Sequence, residues 1–281
     1  MDFTLKQYKL LLNALVAQGY SFQTFVSSIK SANPEVSGLS LRSRSQKPAA
    51  NSPSVILRHD VEDHYERALK FAEIQHALGI QGTYYFRILP KCFKPEIVKK
   101  IAELGHEIGY HYDDLAVCKG DFEKAIARFQ KNLKTLREIA PVETVCMDGS
   151  PLSRFDNKAL WDTYNYHDFG IVAEPYFDID FNKVFYLTDT GRRWDGWKTS
   201  VRDKVPQQEE WVRQGLVFHS TQDIIKAIEK GPSAPLRNLL PNQVLFTFHP
   251  QRWTDSPLPW IKELILQTAK NQVKRILMSR K

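Results

Sequence analysis

Several carboxylate and imidazole side chains stand where short apolar runs of this chain stop. Val55-Ile56-Leu57 gives way to Arg58-His59-Asp60-Val61-Glu62-Asp63, placing carboxylates and a histidine after a stretch that reads as a buried strand. Further on, His106-Glu107-Ile108-Gly109-Tyr110 runs into His111, and the run 243–248 stops at His249-Pro250. A fourth run, 142–147, ends at Asp148-Gly149-Ser150-Pro151. Charged groups at the end of a buried strand cost stability unless they are paired or bind something. Carboxylates and imidazoles hold divalent cations and move protons near neutral pH. Each also has an ordinary reading: a solvated charge, a structural histidine or, for Asp148, an Asx turn opening Gly149-Ser150. Their shared position favours chemistry, because the carboxyl ends of parallel strands converge on one face.

The elements that must position them alternate between strand and helix. Ala68, Phe71, Ala72 and Leu78 line a helix that Gly79 can end, and 82–86 reads as the second strand. Pro95 suits a first helical turn ahead of Val98, Ile101 and Ala102. Residues 106–111 form the third strand, and Phe122, Ala125, Ile126, Phe129, Leu133 and Leu136 recur at helical spacing. After the strand 142–147, residues 150–215 are irregular and aromatic, with short strands expected at 169–172 and 184–187. A strand at 216–218, a helix at 221–230 and the strand 243–248 follow. Thr254 or Ser256 can cap a last helix with Pro257 in its first turn and a core face of Ile261, Leu264, Ile265, Val273, Ile276 and Leu277.

Repeated β-then-α units argue for parallel strands, closed into a barrel or spread as an open sheet. Ahead of them, residues 4–30 carry two amphipathic stripes: Leu5, Tyr8, Leu12 and Leu15, then Phe22, Phe25, Val26 and Ile29. The serines, prolines and basic Arg42, Arg44 and Lys47 of 31–53 read as a linker or long loop. The expected organisation is a helical extension at 1–30, a linker at 31–53 and a barrel at 54–281.

LRHDVED, GTYYF and GHEIGYHYDDL resemble, in order, the early motifs of the polysaccharide deacetylases, the NodB-homology or carbohydrate esterase family 4 superfamily. The resemblance covers residues 54–150 and returns at 243–250. It implies an α/β fold, a distorted (β/α) barrel of about seven parallel strands. It also implies that Asp60 is a general base, Glu62 an acidic ligand of a divalent metal (usually zinc), His111 a ligand histidine and His249 the general acid. His106 and Glu107 would be structural.

The departures from the pattern are specific. Leu115 stands four residues after His111, where the family places a second ligand histidine, and Glu62 stands for an aspartate. Catalytic zinc normally keeps three protein ligands. The third is therefore expected from Asp148, with Asp113 and Asp114 behind it and Asp63 and His64 nearby. Glu62, His111 and Asp148 make an oxygen-rich set that tolerates metals other than zinc. The family's base-orienting arginine has a candidate in Arg154, and its Asp–Trp pair in the segment from Asp189 to Trp194. Asp189, Arg192, Arg193 and Trp194, with Asp195 and Trp197, suit a sugar-binding surface of stacking rings and anion-gripping arginines, or else a loop packed by tryptophans.

The bulk numbers fit an ordinary globular chain, one large α/β domain or one domain plus a small appendage, with 42% hydrophobic and 25% charged residues in 281. Net charge is +7, but Lys and Arg are dispersed, so the excess reads as no more than a bias toward phosphorylated or nucleic-acid partners. The resemblance implies a saccharide or other small-molecule substrate instead, with no nucleic acid. Cys92, Cys118 and Cys146 are odd in number and lack CxxC spacing, and the first residues carry no apolar signal segment. No apolar run reaches membrane-spanning length, and a cytoplasmic location is the expectation. The expected activity is metal-dependent removal of an acyl group from an N-acylated sugar or related amide. The alternatives are a non-sugar C–N hydrolase on the same fold and a metal-free binding barrel.

Overall fold

The computed structural model describes residues 1–33, 53–196, 200, 202–230 and 243–278. The basic segment with Arg42, Arg44 and Lys47, together with Trp197, lies outside them. A seven-stranded sheet forms the centre: β1 (Ser21–Gln23), β2 (Ser54–Val61), β3 (Thr83–Phe86), β4 (Glu107–Tyr112), β5 (Val145–Met147), β6 (Val184–Thr188) and β7 (Gln243–Phe248). Every pairing is parallel, in the order β5-β4-β3-β2-β7-β6, and the sheet curls into a half-barrel surrounded by helices. The chain is a distorted (β/α) barrel of the expected type. β2 is central, with β7 along one edge and β3 beside the second half of the other.

β1 fills the part of that edge which β3 does not reach, with Ser21 opposite Ser54 and Gln23 opposite Ile56. Residues 1–33 are thus built into the domain rather than appended to it, and Phe22 is a strand residue instead of a helical one. The helix α1 (Leu5–Ala17) precedes β1, and α2 (Phe25–Ala32) starts only at Thr24, whose side chain accepts from the Ser27 N–H. The first turn of α2 meets the interior at the N-terminal end of the strands. There the Glu107 carboxylate accepts from the Val26 N–H (2.9 Å) and the Thr83 hydroxyl (2.8 Å), and also from the Thr144 hydroxyl. His106 accepts from the Gly82 N–H at Nδ1 (3.1 Å) and donates from Nε2 to the Ala72 carbonyl (3.0 Å).

Side chains alternate across β2 with the strand's period of two. Leu57, His59 and Val61 face the outer layer, which contains α1 and α3 (Tyr65–Ala77). The His59 ring stacks on Tyr84 at 4.1 Å, donates from Nδ1 to the Thr83 carbonyl (3.0 Å) and faces Tyr8 and Gln75 with Nε2. Burial pushes this imidazole down to about 3, so it is a neutral core residue. Arg58 and Asp60 face the barrel interior. On β4 the same alternation sends Gly109 and His111 inward, and glycine is required at 109 because a Cβ there would overlap the Tyr85 ring.

Helices α4 (Pro95–Glu103), α5 (Asp114–Val117), α6 (Phe122–Arg137) and α7 (Pro175–Asp178) follow in order, then α8 (Gln208–Arg213), α9 (Thr221–Glu229) and α10 (Pro257–Met278). Three expectations fail. Residues 169–172 contain the end of a 3-10 helix (Tyr166–Phe169) and a left-handed Gly170, and only a single bridge, Thr144 to Ala173, continues the sheet. Residues 216–218 form no strand; Leu216 and Phe218 are buried as isolated side chains. On α10 the faces are reversed: Gln267 and Asn271 are buried, with Asn271 donating to the Gly191 carbonyl at 2.9 Å. Ile261, Leu264, Ile265 and Val273 are exposed, and the side chains of Ile276 and Leu277 lie outside the described residues. The surface beneath the helix offers a backbone carbonyl, which calls for polar partners.

Candidate active site

The site lies at the carboxyl ends of β2, β4, β5 and β7. Asp60 is almost fully buried and clasped by Arg58, two residues earlier on the same face of β2. Nε donates to Oδ1 at 2.9 Å and Nη2 to Oδ2 at 2.6 Å. Burial alone would raise the Asp60 carboxyl, but Arg58, with His111 beyond it, outweighs this and holds it well below the usual carboxylate range. Behind Arg58, Tyr176 lays its ring 5.1 Å from the guanidinium and donates its hydroxyl to Asp203 at 3.0 Å. Asp203 also accepts from the Tyr186 and Thr188 hydroxyls. Arg154, the arginine expected beside the base, is exposed and rests on the Phe155 ring at 4.7 Å. The loop after β5 turns it outward, and Arg58 does the orienting instead.

Glu62, His111 and Asp148 come together, each offering a ligand atom within 4.8 Å of the others. His111 Nδ1 lies 2.9 Å from the Cys146 carbonyl and donates to it, which leaves the Nε2 lone pair pointing inward. That Nε2 is buried without a hydrogen-bond partner, 3.7 Å from Asp148 Oδ2 and 3.9 Å from Asp60 Oδ2. Asp148 serves both expectations at once. Its Oδ1 accepts from the Ser150 N–H (2.8 Å) and hydroxyl (2.5 Å) in an Asx turn, and its Oδ2 faces the cluster. Burial would raise this carboxyl, but His111 and Arg87 prevail and keep it low. An orphaned buried imidazole nitrogen costs about 1–3 kcal/mol, and a divalent cation held by Glu62, His111 and Asp148 would satisfy it. The residues fit such an ion. Asp60, His111 and Cys146 form a second close trio that shares the same imidazole.

The reserve ligands are otherwise engaged. Asp113 and Asp114 clamp Arg128, and Asp113 also receives the Arg87 fork. Asp63 pairs with Lys91 at 3.3 Å, and His64 with Glu66 at 3.0 Å, both near the surface. Leu115 sits in α5 with its side chain in the core.

At the end of β7, His249 is fixed through its Nδ1 and its backbone N–H. Asp189 accepts from its Nδ1 at 2.5 Å and from its backbone N–H at 3.0 Å. The same carboxylate takes Arg252 Nη1 (3.1 Å) and Trp253 Nε1 (2.5 Å). His249 Nε2 points to Glu62, 3.7 Å from Oε1, while Gln251 donates to Glu62 Oε2 at 3.0 Å. Burial and Arg252 oppose a charge on His249, but Asp189 and Glu62 win, and its pKa lies above the ordinary histidine value.

Asp189 therefore backs the imidazole and is not a substrate contact. Two of its neighbours, Arg192 and Trp194, are buried too. Trp194 is 3% exposed, packs against Phe246, Phe248 and Trp253, and donates to the Thr221 hydroxyl at 2.9 Å. Arg192 lies over the Trp260 ring and donates to the Trp260 carbonyl, and Arg193 pairs with Asp195. Trp194 and Arg192 are drawn inward because the segment after β6 packs against the outer face of β7, whereas the Arg193 side chain stays 38% exposed. Arg58, Arg87, Gln251, Arg252 and Trp253 are the site residues that sequence reasoning passed over. A signal existed for two groups of them: the i, i+2 spacing of Arg58 and Asp60, and the Gln-Arg-Trp cluster directly after His249-Pro250.

No protein-family model matches the sequence, and no curated protein matches it. Solved structures do. A carbohydrate esterase family 4 pseudoenzyme from Bacillus anthracis aligns at 14% identity and a TM-score of 0.41 over 82% of this chain, which spans 66% of that protein's length. A polysaccharide deacetylase from Bacillus cereus aligns at 12% identity and 0.40, over 78% of this chain and 89% of its own. A family 4 carbohydrate esterase of Bacillus subtilis aligns at 12% and 0.37, over 91% and 90%. The residue assignments rest on the geometry, and what the chain shows directly is a half-barrel whose strand ends gather a clasped aspartate, an open carboxylate–imidazole trio and a backed histidine.

Proposed function

We propose that this protein is a divalent-metal-dependent hydrolase that cleaves an amide, removing the acyl group from an N-acylated sugar or a related compound. One observation carries the reading: the partnerless Nε2 of His111 faces two carboxylates, flanked by a clasped Asp60 and a backed His249. Glu62, His111 and Asp148 would hold the ion, zinc being the first to try. When bound there it supplies polarisation of the acyl oxygen and acidification of water. Asp60, ionised through its Arg58 clasp, accepts the proton of the attacking water. Arg58, steadied by Tyr176, keeps that carboxylate from swinging. His249, protonated through Asp189, donates its Nε2 proton to the departing nitrogen.

A second reading, a metal-free binding barrel, is favoured by Leu115 in the core and by Arg87 lying against Asp148 at 3.4 Å. The two readings separate on metal content and turnover of the purified protein. Stoichiometric metal lost in His111→Ala, with release of acetate from N-acetylated sugars, supports the hydrolase. Metal-free protein that stays inert with zinc, nickel, manganese and iron would sink it. Acyl release from simple amides but not sugars would favour the non-sugar C–N hydrolase.

A further inference from the structure

We propose that Arg87 is a catalytic residue of this site: when a divalent cation takes Asp148 Oδ2, the freed Nη1 of Arg87 donates to the acyl oxygen of the substrate. The inference rests on the hydrolase reading above. Arg87 follows directly on the last residue of β3, the strand lying between β2, which leads to Asp60 and Glu62, and β4, which carries His111. It therefore emerges on the same face as those groups.

Its guanidinium is held by one edge only. Nε and Nη2 both donate to Asp113 Oδ2, and Asp113 Oδ1 is itself held by Arg128. Nη1 remains, and lies 3.4 Å from Asp148 Oδ2, the oxygen that is 3.7 Å from the orphaned His111 Nε2. A cation held through that oxygen would compete, as a like charge, with the guanidinium for one acceptor, so its binding would turn Nη1 away from Asp148. The other arginines nearby are more enclosed: Arg58 forks onto Asp60, and Arg252 is held by Asp189 through Nη1, with Nη2 3.8 Å from Glu62 and Nε buried without a partner. Arg87 is also the most open of the three, with 19% of its side chain exposed against 3% and 7%.

The step balances without further reactants. The water oxygen bonds to the acyl carbon, the π pair moves onto the acyl oxygen, and the water proton passes to Asp60. Arg87 stays protonated and contributes a hydrogen bond to the developing oxyanion. The pair then returns, the C–N bond breaks, and the nitrogen takes a proton from His249.

The test compares wild type with Arg87→Gln and Arg87→Lys. Zinc affinity of the metal-free protein is measured by chelator competition, alongside kcat and KM on an N-acetylated amino sugar. Arg87→Gln should bind zinc about fivefold tighter or more, because a competing cation is gone. It should also lose about 10²–10³ in kcat with little change in KM. Arg87→Lys, which keeps the charge but not the fork, should retain near-wild-type zinc affinity and still be slow. Should Arg87→Gln fail to fold, Arg87→Lys and Asp113→Asn, which releases the fork, read the same two quantities. A strut that only supports the fold would give unchanged or weaker zinc binding with proportionate loss of melting temperature, and that result overturns the proposal. So does kcat within threefold of wild type. Wild-type protein that neither binds zinc nor hydrolyses would overturn the hydrolase reading itself, and the role of Arg87 with it.

Discussion

His111 and His249 face one cleft in opposite states of completion. Around His249 the hydrogen bonding is largely closed: Nδ1 on Asp189, Asp189 on Arg252 and Trp253, and Glu62 on Gln251, leaving only Arg252 Nε and Gln251 Oε1 of these groups buried without partners. Around His111 one nitrogen is orphaned and two carboxylates converge on it. The proposed acid side is thus largely preorganised by the fold, whereas the proposed metal side leaves a buried imidazole nitrogen without a hydrogen-bond partner. The difference teaches where stability and function are coupled. Substitutions on the closed side should damage both, and those on the open side should damage function while sparing the fold.

The largest effect should come from Asp60→Asn, which removes the base but keeps the Arg58 contact partly intact. Turnover should fall by about 10²–10⁴-fold with metal content unchanged; loss of metal instead would swap the roles of Asp60 and Glu62. On the closed side, Asp189→Ala strands the donors of His249, Arg252 and Trp253. It should destabilise the protein by about 3–5 kcal/mol in urea titration as well as slow turnover. On the open side, His111→Ala should bring metal content to background while lowering the stability of the metal-free protein by less than Asp189→Ala does. Equal losses would erase the distinction between the two sides.

A pH profile sharpens the same comparison. Because the folded His249 pKa is raised, the proposed proton donor persists above the ordinary histidine value, and the limb of the activity profile that it controls should fall on the alkaline side. Its stability contribution is fully present below the unfolded pKa and is lost as pH rises through the folded one, so the urea midpoint should decline over that alkaline window. His249→Gln should abolish this slope. Smallest of all, Arg154→Ala should leave activity unchanged and stability within about 0.5 kcal/mol.

What could be read in the sequence was whatever a strand end announces locally. Asp60, Glu62, His111, Asp148 and His249 each follow an apolar run, and the parallel barrel brings those ends together. What could not be read was partnership across the chain. Asp189 supports a histidine 60 residues away, so its role is invisible in YLTDTGRRW itself. Trp194 and Arg192 look like a binding surface in composition, and only packing against β7, Phe3 and Trp260 turns them inward. α10 misled because an apolar stripe is normally read as the buried face, whereas here Asn271 seeks the Gly191 carbonyl. β1 was hidden because three residues carry no periodicity, and the vacant edge of β2 decides their conformation.

The pairing of β2 with β7 has a consequence for how the molecule is made. Glu62, His111 and Asp148 all lie in one contiguous stretch of chain, yet Gln251, which steadies Glu62, is 189 residues beyond it. Contacts of such separation form late, after the long intervening loop has been closed. During synthesis, the carboxylate–imidazole trio can assemble while β7 is still absent. A growing chain would then own a nest for a cation well before it owned the proton donor, and the last strand to dock would be the one that arms it.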